Sequence, residues 1–193
     1  MHLQLGTSYL PGRVYFQKLL SAEKAEICGG TPWQKQTLRN RTFILSPNGI
    51  QRLIVPVQHS GSLPVSDSVV KIDYSLPWIR EHKGALEAAY NTSPYFEFFK
   101  DDLFAIYDAK PALLYDLNFQ VLSLLLRKMK STTEIVPAPT QATTLAELDN
   151  INCKQMPDDS QLTSYPQVFG YKFGFTGGLS SLDELCNTGG LTL

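Results

Sequence analysis

Apolar positions recur along this chain with two different periods, and where the period changes the predicted element changes with it. Val14, Phe16, Leu19 and Leu20 fall at helical spacing behind the Pro11-Gly12 breaker, which predicts a helix over 13–22. A short apolar run at 25–28 reads as a strand, closed by the loop Gly29-Gly30-Thr31-Pro32. The β-rich runs 41–46 and 51–57 flank Pro47-Asn48-Gly49, whose Asn-Gly can supply the positive φ of a tight turn, so the pair reads as a hairpin. Val69, Val70 and Ile72 predict one more strand over 68–73.

The middle of the chain is helical. Trp78, His82, Leu86 and Ala89 lie along one helix face after the start signal of Pro77. A second helix is expected over 94–107, with Pro94 in its first turn. A third over 111–130 carries Leu114, Leu117, Val121, Leu124 and Leu125 on one side and ends in cations suited to the negative helix terminus. From 131 to 164 the composition turns to Thr, Pro, Gln, Asp and Ser, which reads as a long mobile connection with a short helix at 145–148. The aromatic stretch 165–175 reads as an ordered loop, Ser180-Ser181-Leu182-Asp183 as a helix start and Gly189-Gly190 as its end. These elements predict an α+β fold: a small, mostly antiparallel sheet from the N-terminal half packed on about three central helices, with a short C-terminal helix, in a single domain over 1–193.

Composition narrows the function classes. The 193 residues are 43% hydrophobic and 18% charged, with 17 Lys+Arg against 18 Asp+Glu, so no overall basicity points to nucleic acid. The longest apolar runs fall far short of the roughly 20 residues of a spanning helix. No secretory signal pattern opens the chain, and a cytoplasmic location is expected. Cys28, Cys153 and Cys186 have no metal-ligand spacing and read as reduced thiols, with no metal site expected.

Charge is nevertheless unevenly placed. Between Glu26 and Asp67 there is no acidic residue, while Lys35, Arg39, Arg41 and Arg52 all lie there. If extended, Arg39 and Arg41 point to one side, where guanidinium forks suit phosphate or carboxylate. The alternative is a solvated basic edge, or pairing with acids elsewhere in the chain. His82 could act as a general base, yet it shares a helix face with Trp78 and Leu86, which suits a buried, hydrogen-bonded imidazole. Cys28 could be a nucleophile only if its pKa were lowered. Tyr90, Tyr95, Phe96, Phe98 and Phe99 read mostly as core.

Taken in order, Tyr9-Leu10-Pro11 with Tyr15-Phe16, Gln34-Lys35, Arg39-Asn40-Arg41, Pro56, Trp78 with His82 and Tyr90, Ser93-Pro94 and Phe96 resemble the WbqC-like family. Tyr165-Pro166-Gln167-Val168-Phe169, Phe173-Gly174-Phe175 and Leu179-Ser180-Ser181-Leu182-Asp183 resemble its closing motif. The chain departs from the family at Cys28 to Thr31, where relatives often carry an acidic residue and an aromatic. The resemblance implies a part in bacterial O-antigen and surface-polysaccharide biosynthesis, and it names no cofactor. Joined to the charge pattern, it leads to an expected site: Lys35, Arg39, Asn40, Arg41 and Gln167 hold a phosphate-bearing substrate such as a nucleotide sugar, while His82 and Tyr90 line the reacting end of a group transferase. The competing expectation is a non-catalytic binding component, associated with polysaccharide assembly proteins, in which the same motifs are structural.

Overall fold

The computed structural model describes residues 2–58, 65–139 and 156–192. The chain opens with β1 (His2–Gly6), α1 (Arg13–Leu20) and β2 (Lys24–Cys28), a short βαβ unit whose strands pair in parallel from His2↔Lys24 to Gly6↔Cys28. Much later in sequence, β5 (Glu134–Ala138) pairs on the other edge of β2, again in parallel, from Lys24↔Glu134 to Cys28↔Ala138. The strand order is therefore β1-β2-β5. Pro137 is tolerated in β5 because that strand lies at the sheet edge, where a missing N–H breaks no second ladder.

A separate antiparallel hairpin is formed by β3 (Arg41–Ser46) and β4 (Gly49–Ile54). Gly49 takes φ 103° at its turn, the backbone that the Asn-Gly pair predicted. Every residue of β3 is buried, whereas β4 exposes most of its side chains, so the hairpin lies with β3 inward.

The helices are α2 (Trp78–Tyr90), α3 (Glu97–Asp108), α4 (Leu114–Lys128), the single turn α5 (Gly170–Phe173) and α6 (Ser181–Thr188). Ser180 caps α6 by accepting from the Leu182 N–H, and Gly189 ends it in the left-handed conformation at φ 77°. Phe16, Ile27, Leu86, Phe96, Leu103 and Leu117 are among the side chains of the one large core, which α1, both faces of β2, α2, α3 and α4 share. Among the described residues no helix is long and apolar enough to cross a membrane.

The α+β class, the hairpin and the helices α1 to α4 and α6 match the expectation. β1 and the turn α5 were not expected, and three further details differ. The larger sheet is parallel, and only the hairpin is antiparallel. The strand expected over 68–73 is instead a 3-10 turn (Asp67–Val69) followed by isolated bridges Val57↔Ile72 and Lys71↔Leu113. Its backbone bonds go to several different neighbours: Asp67 N–H donates to the Thr31 carbonyl and Ser68 N–H to Gly29, while the Val70 carbonyl accepts from Leu114 N–H. A segment wedged between elements in this way has no continuous partner strand. Third, β5 lies within the stretch 131–164 that reads as a connection; the helix expected at 145–148 lies outside the described residues.

Candidate functional site

Arg39, Asn40 and Arg41 are consecutive but diverge, because β3 begins only at Arg41 and Arg39 lies in the preceding turn. The two arginines therefore do not form the shared fork expected from an extended chain. Arg39 turns into the interior, where Nε lies 2.8 Å from Asp67 Oδ2, each residue being 1% exposed. Its Nη1 donates to the Pro32 carbonyl at 3.3 Å. Burial pushes the Asp67 carboxyl up to about 7 despite the opposing pull of Arg39, and burial likewise lowers Arg39. Asn40 locks the base of the hairpin: Nδ2 donates to the Val55 carbonyl at 2.9 Å, and the Asn40 carbonyl accepts from Val55 N–H at 2.8 Å.

Arg41 is different. It is 7% exposed, its Nε has no hydrogen-bond partner, and among the described residues no carboxylate pairs with it. Desolvation first and the charge of Arg52 second lower its pKa. It lines a narrow crevice of about 10 Å³ between residues 8–12, the start of β3 and residues 178–180. That is room for one water-sized group. Lys35 is exposed on the turn before Arg39.

His82 projects from the inner face of α2. Its Nε2 lies 3.2 Å from the Ile54 carbonyl and its Nδ1 2.8 Å from the Tyr9 hydroxyl, which in turn meets the Tyr107 hydroxyl at 2.6 Å. A carbonyl only accepts, so Nε2 carries the proton, Nδ1 accepts from Tyr9, and Tyr9 accepts from Tyr107. Trp78 packs edge-on against the imidazole with centroids 5.0 Å apart. Burial pushes the His82 pKa down to about 4, so the ring is neutral near pH 7. It joins α2 to the hairpin and to the β1–α1 loop.

Tyr90 and Gln167 meet at a second buried centre, around Asp183. Asp183 Oδ2 accepts from the Tyr165 hydroxyl at 2.9 Å and from Gln167 Nε2 at 3.0 Å, and the Tyr90 hydroxyl faces the same carboxylate. Gln167 also closes a backbone loop, with Oε1 accepting from Thr176 N–H at 2.8 Å. Burial raises the Asp183 carboxyl to about 6 against these donors. Beside it, Arg13 Nε lies 2.7 Å from Glu184 Oε2, its Nη2 donates to the Thr163 and Thr192 carbonyls, and its guanidinium lies over the Tyr165 ring. This centre ties the C-terminal segment to the start of α1.

The structure thus brings Tyr9, His82 and the Asn40–Val55 lock together through the hairpin base, and Tyr90, at the far end of α2, together with Gln167 around Asp183. It does not bring all seven expected residues around one opening. Cys28, considered as a nucleophile, is sealed in the core at 0% exposure, and Cys186 is also a free buried thiol. Sequence reasoning did not assign the partners Asp67, Arg13 and Glu184. A signal for Asp67 was present, since it is the acid that ends the acid-free stretch beginning after Glu26. Among the described residues no cluster of three His, Cys, Asp or Glu could hold a metal ion.

An α+β protein in which His82 and Tyr90 of α2 meet the hairpin and the C-terminal segment, while its buried arginines pair with carboxylates of other elements, is the class these features define. The family model described as the WbqC-like protein family matches residues 7–156, well over half of the 193-residue chain, and the chain belongs to that family. A further relative is the "Uncharacterized protein Rv1507c" of Mycobacterium tuberculosis, 31% identical over 101 residues, which are 52% of this chain and 43% of that protein. The match spans less than half of that relative's own length. No solved structure gives a significant match to the chain.

Proposed function

We propose that the protein serves bacterial surface-polysaccharide (O-antigen) biosynthesis in the cytoplasm by binding a phosphate-bearing sugar, such as a nucleotide-linked one, with Arg41 as the anion contact. The observation that carries this reading is the contrast between two arginines: Arg39 is paired with a buried carboxylate, whereas Arg41 is almost as buried and has none. The sealed Nε of Arg41 lacks a partner, which is unfavourable, and one phosphoryl oxygen in the crevice would supply one. Lys35, on the exposed turn, adds a second cation for the solvent side of the ligand. In this reading Arg39, Asn40 and Gln167 hold the walls through the bonds described above, and the Tyr90 hydroxyl faces Asp183.

Binding or assembly is favoured over group transfer by the state of His82. Its ring is 3% exposed and both nitrogens are engaged within the protein, so neither is free to take a proton from a sugar hydroxyl. The test is a thermal-shift screen of the protein against nucleotide sugars and nucleoside diphosphates, with Arg41→Ala and Lys35→Ala alongside. A ligand at about 100 times its Kd adds roughly 2.7 kcal/mol, a shift on the order of 5–10 °C at this size. A shift for one ligand class that Arg41→Ala abolishes supports the reading. A panel in which no ligand gives a shift that Arg41→Ala reduces overturns it.

A further inference from the structure

The face of α2 turned away from His82 borders an open groove of about 600 Å³, within the range of small-molecule sites. Gly84 lies on that face, in the middle of a 13-residue helix, where glycine is a poorer helix former than alanine. A Cβ at Gly84 would meet no atom within 4 Å, and its φ is not positive. Neither packing nor backbone geometry asks for glycine there. What its missing side chain provides is depth in the groove.

The charges along the groove are not balanced. Lys83 is paired with Asp108 at 2.5 Å and Glu87 with Lys100 at 3.0 Å. That leaves Arg80 and Lys110 as groove cations with no carboxylate partner among the described residues. Lys110 is held at the end of α3 by a left-handed backbone of φ 50°, with Nζ 6.0 Å from the Tyr74 ring centroid. Tyr74 is itself fixed, because its hydroxyl donates to the Pro111 carbonyl at 2.7 Å. Leu76, 56% exposed, and Pro77 complete an apolar wall.

We infer that this groove binds a phosphorylated small molecule with a flat apolar body, of the nucleotide class: phosphates on Arg80 and Lys110, the ring against Leu76 and Pro77, and Gly84 as the floor. The residues that carry this differ from those around Arg41, so the groove stands or falls separately from the function proposed above. The test follows ¹⁵N–¹H spectra of the full chain during titration with ADP, UDP, pyrophosphate and adenosine. ADP and UDP should give saturable shifts at Gly84 and its neighbours, with pyrophosphate and adenosine each weaker by about tenfold or more. Gly84→Leu should fold with an undiminished Tm and lose ADP binding. Arg80→Ala should weaken ADP by about tenfold, and Arg41→Ala should leave it unchanged. Failure of both diphosphates to saturate Gly84 by about 10 mM overturns the inference. So does wild-type ADP affinity in a folded Gly84→Leu variant, and pyrophosphate binding as tightly as ADP overturns the apolar wall.

Discussion

The Tyr9 hydroxyl donates to His82 Nδ1 at 2.8 Å while accepting from Tyr107, so one phenol from the β1–α1 loop fixes the tautomer of an imidazole on α2. The far side of that imidazole bonds the Ile54 carbonyl at the end of β4. Four elements, the β1–α1 loop, β4, α2 and α3, are joined by one short chain of hydrogen bonds. Tyr9→Phe would leave Nδ1 and the Tyr107 hydroxyl without this partner in a site sealed from water. The expected loss is about 1–3 kcal/mol, read as an earlier midpoint in urea unfolding with an unchanged slope. A midpoint equal to wild type would mean that the chain of bonds contributes nothing.

The Arg39–Asp67 pair predicts a non-additive pattern. Asp67→Ala leaves a guanidinium buried without its counter-charge, a change of roughly 3–5 kcal/mol. Arg39→Met with Asp67→Ala removes both charges, so the double variant should be more stable than Asp67→Ala alone. Chemical unfolding of the two singles and the double measures this coupling. Additive losses would show that the two side chains act independently.

How far these contacts could be read from the sequence depends on their range. The hairpin was legible because Asn48-Gly49 is a local turn signal, and α6 because Ser180 and Gly189 are local caps. The parallel sheet was not, since β5 pairs with β2 across more than a hundred residues and carries a proline that lowers its strand signal. For His82, the face shared with Trp78 and Leu86 indicated burial correctly, but its partners Tyr9 and Ile54 come from other elements. The divergence of Arg39 and Arg41 was hidden because β3 starts between them, and strand boundaries carry little local signal.

Two glycines in helical surroundings predict opposite outcomes. A Cβ at Gly189 would lie 2.8 Å from Tyr95 Cε1 on a backbone with φ 77°, whereas one at Gly84 meets open space. Gly84→Ala should raise stability by about 0.5–1 kcal/mol, and Gly189→Ala should lower it by more than about 1 kcal/mol. Calorimetric Tm values of both variants decide this, and equal shifts of one sign would contradict the packing around Tyr95.

The pH dependence of stability separates His82 from Asp183, because burial moves them in opposite senses. His82 titrates near 4 in the folded chain against 6.5 when unfolded, so between those values the unfolded chain binds the extra proton. Stability from the neutral imidazole is complete above about pH 6.5 and is lost as pH falls through 4, on the order of 3 kcal/mol in all. Asp183 titrates near 6 folded against 3.8 unfolded, so its contribution is complete below 3.8 and is lost as pH rises through 6. In wild type the two slopes oppose each other across pH 4–6. The Asp67 carboxyl, raised to about 7, slopes in the same sense as Asp183, so Asp183→Asn should leave it nearly balanced against His82 and flatten the profile across pH 4–6. His82→Gln should instead steepen the decline in stability from pH 4 to 6. Denaturant midpoints at half-unit pH intervals distinguish the two. Parallel pH profiles for wild type and both variants would show that neither buried group is linked to folding.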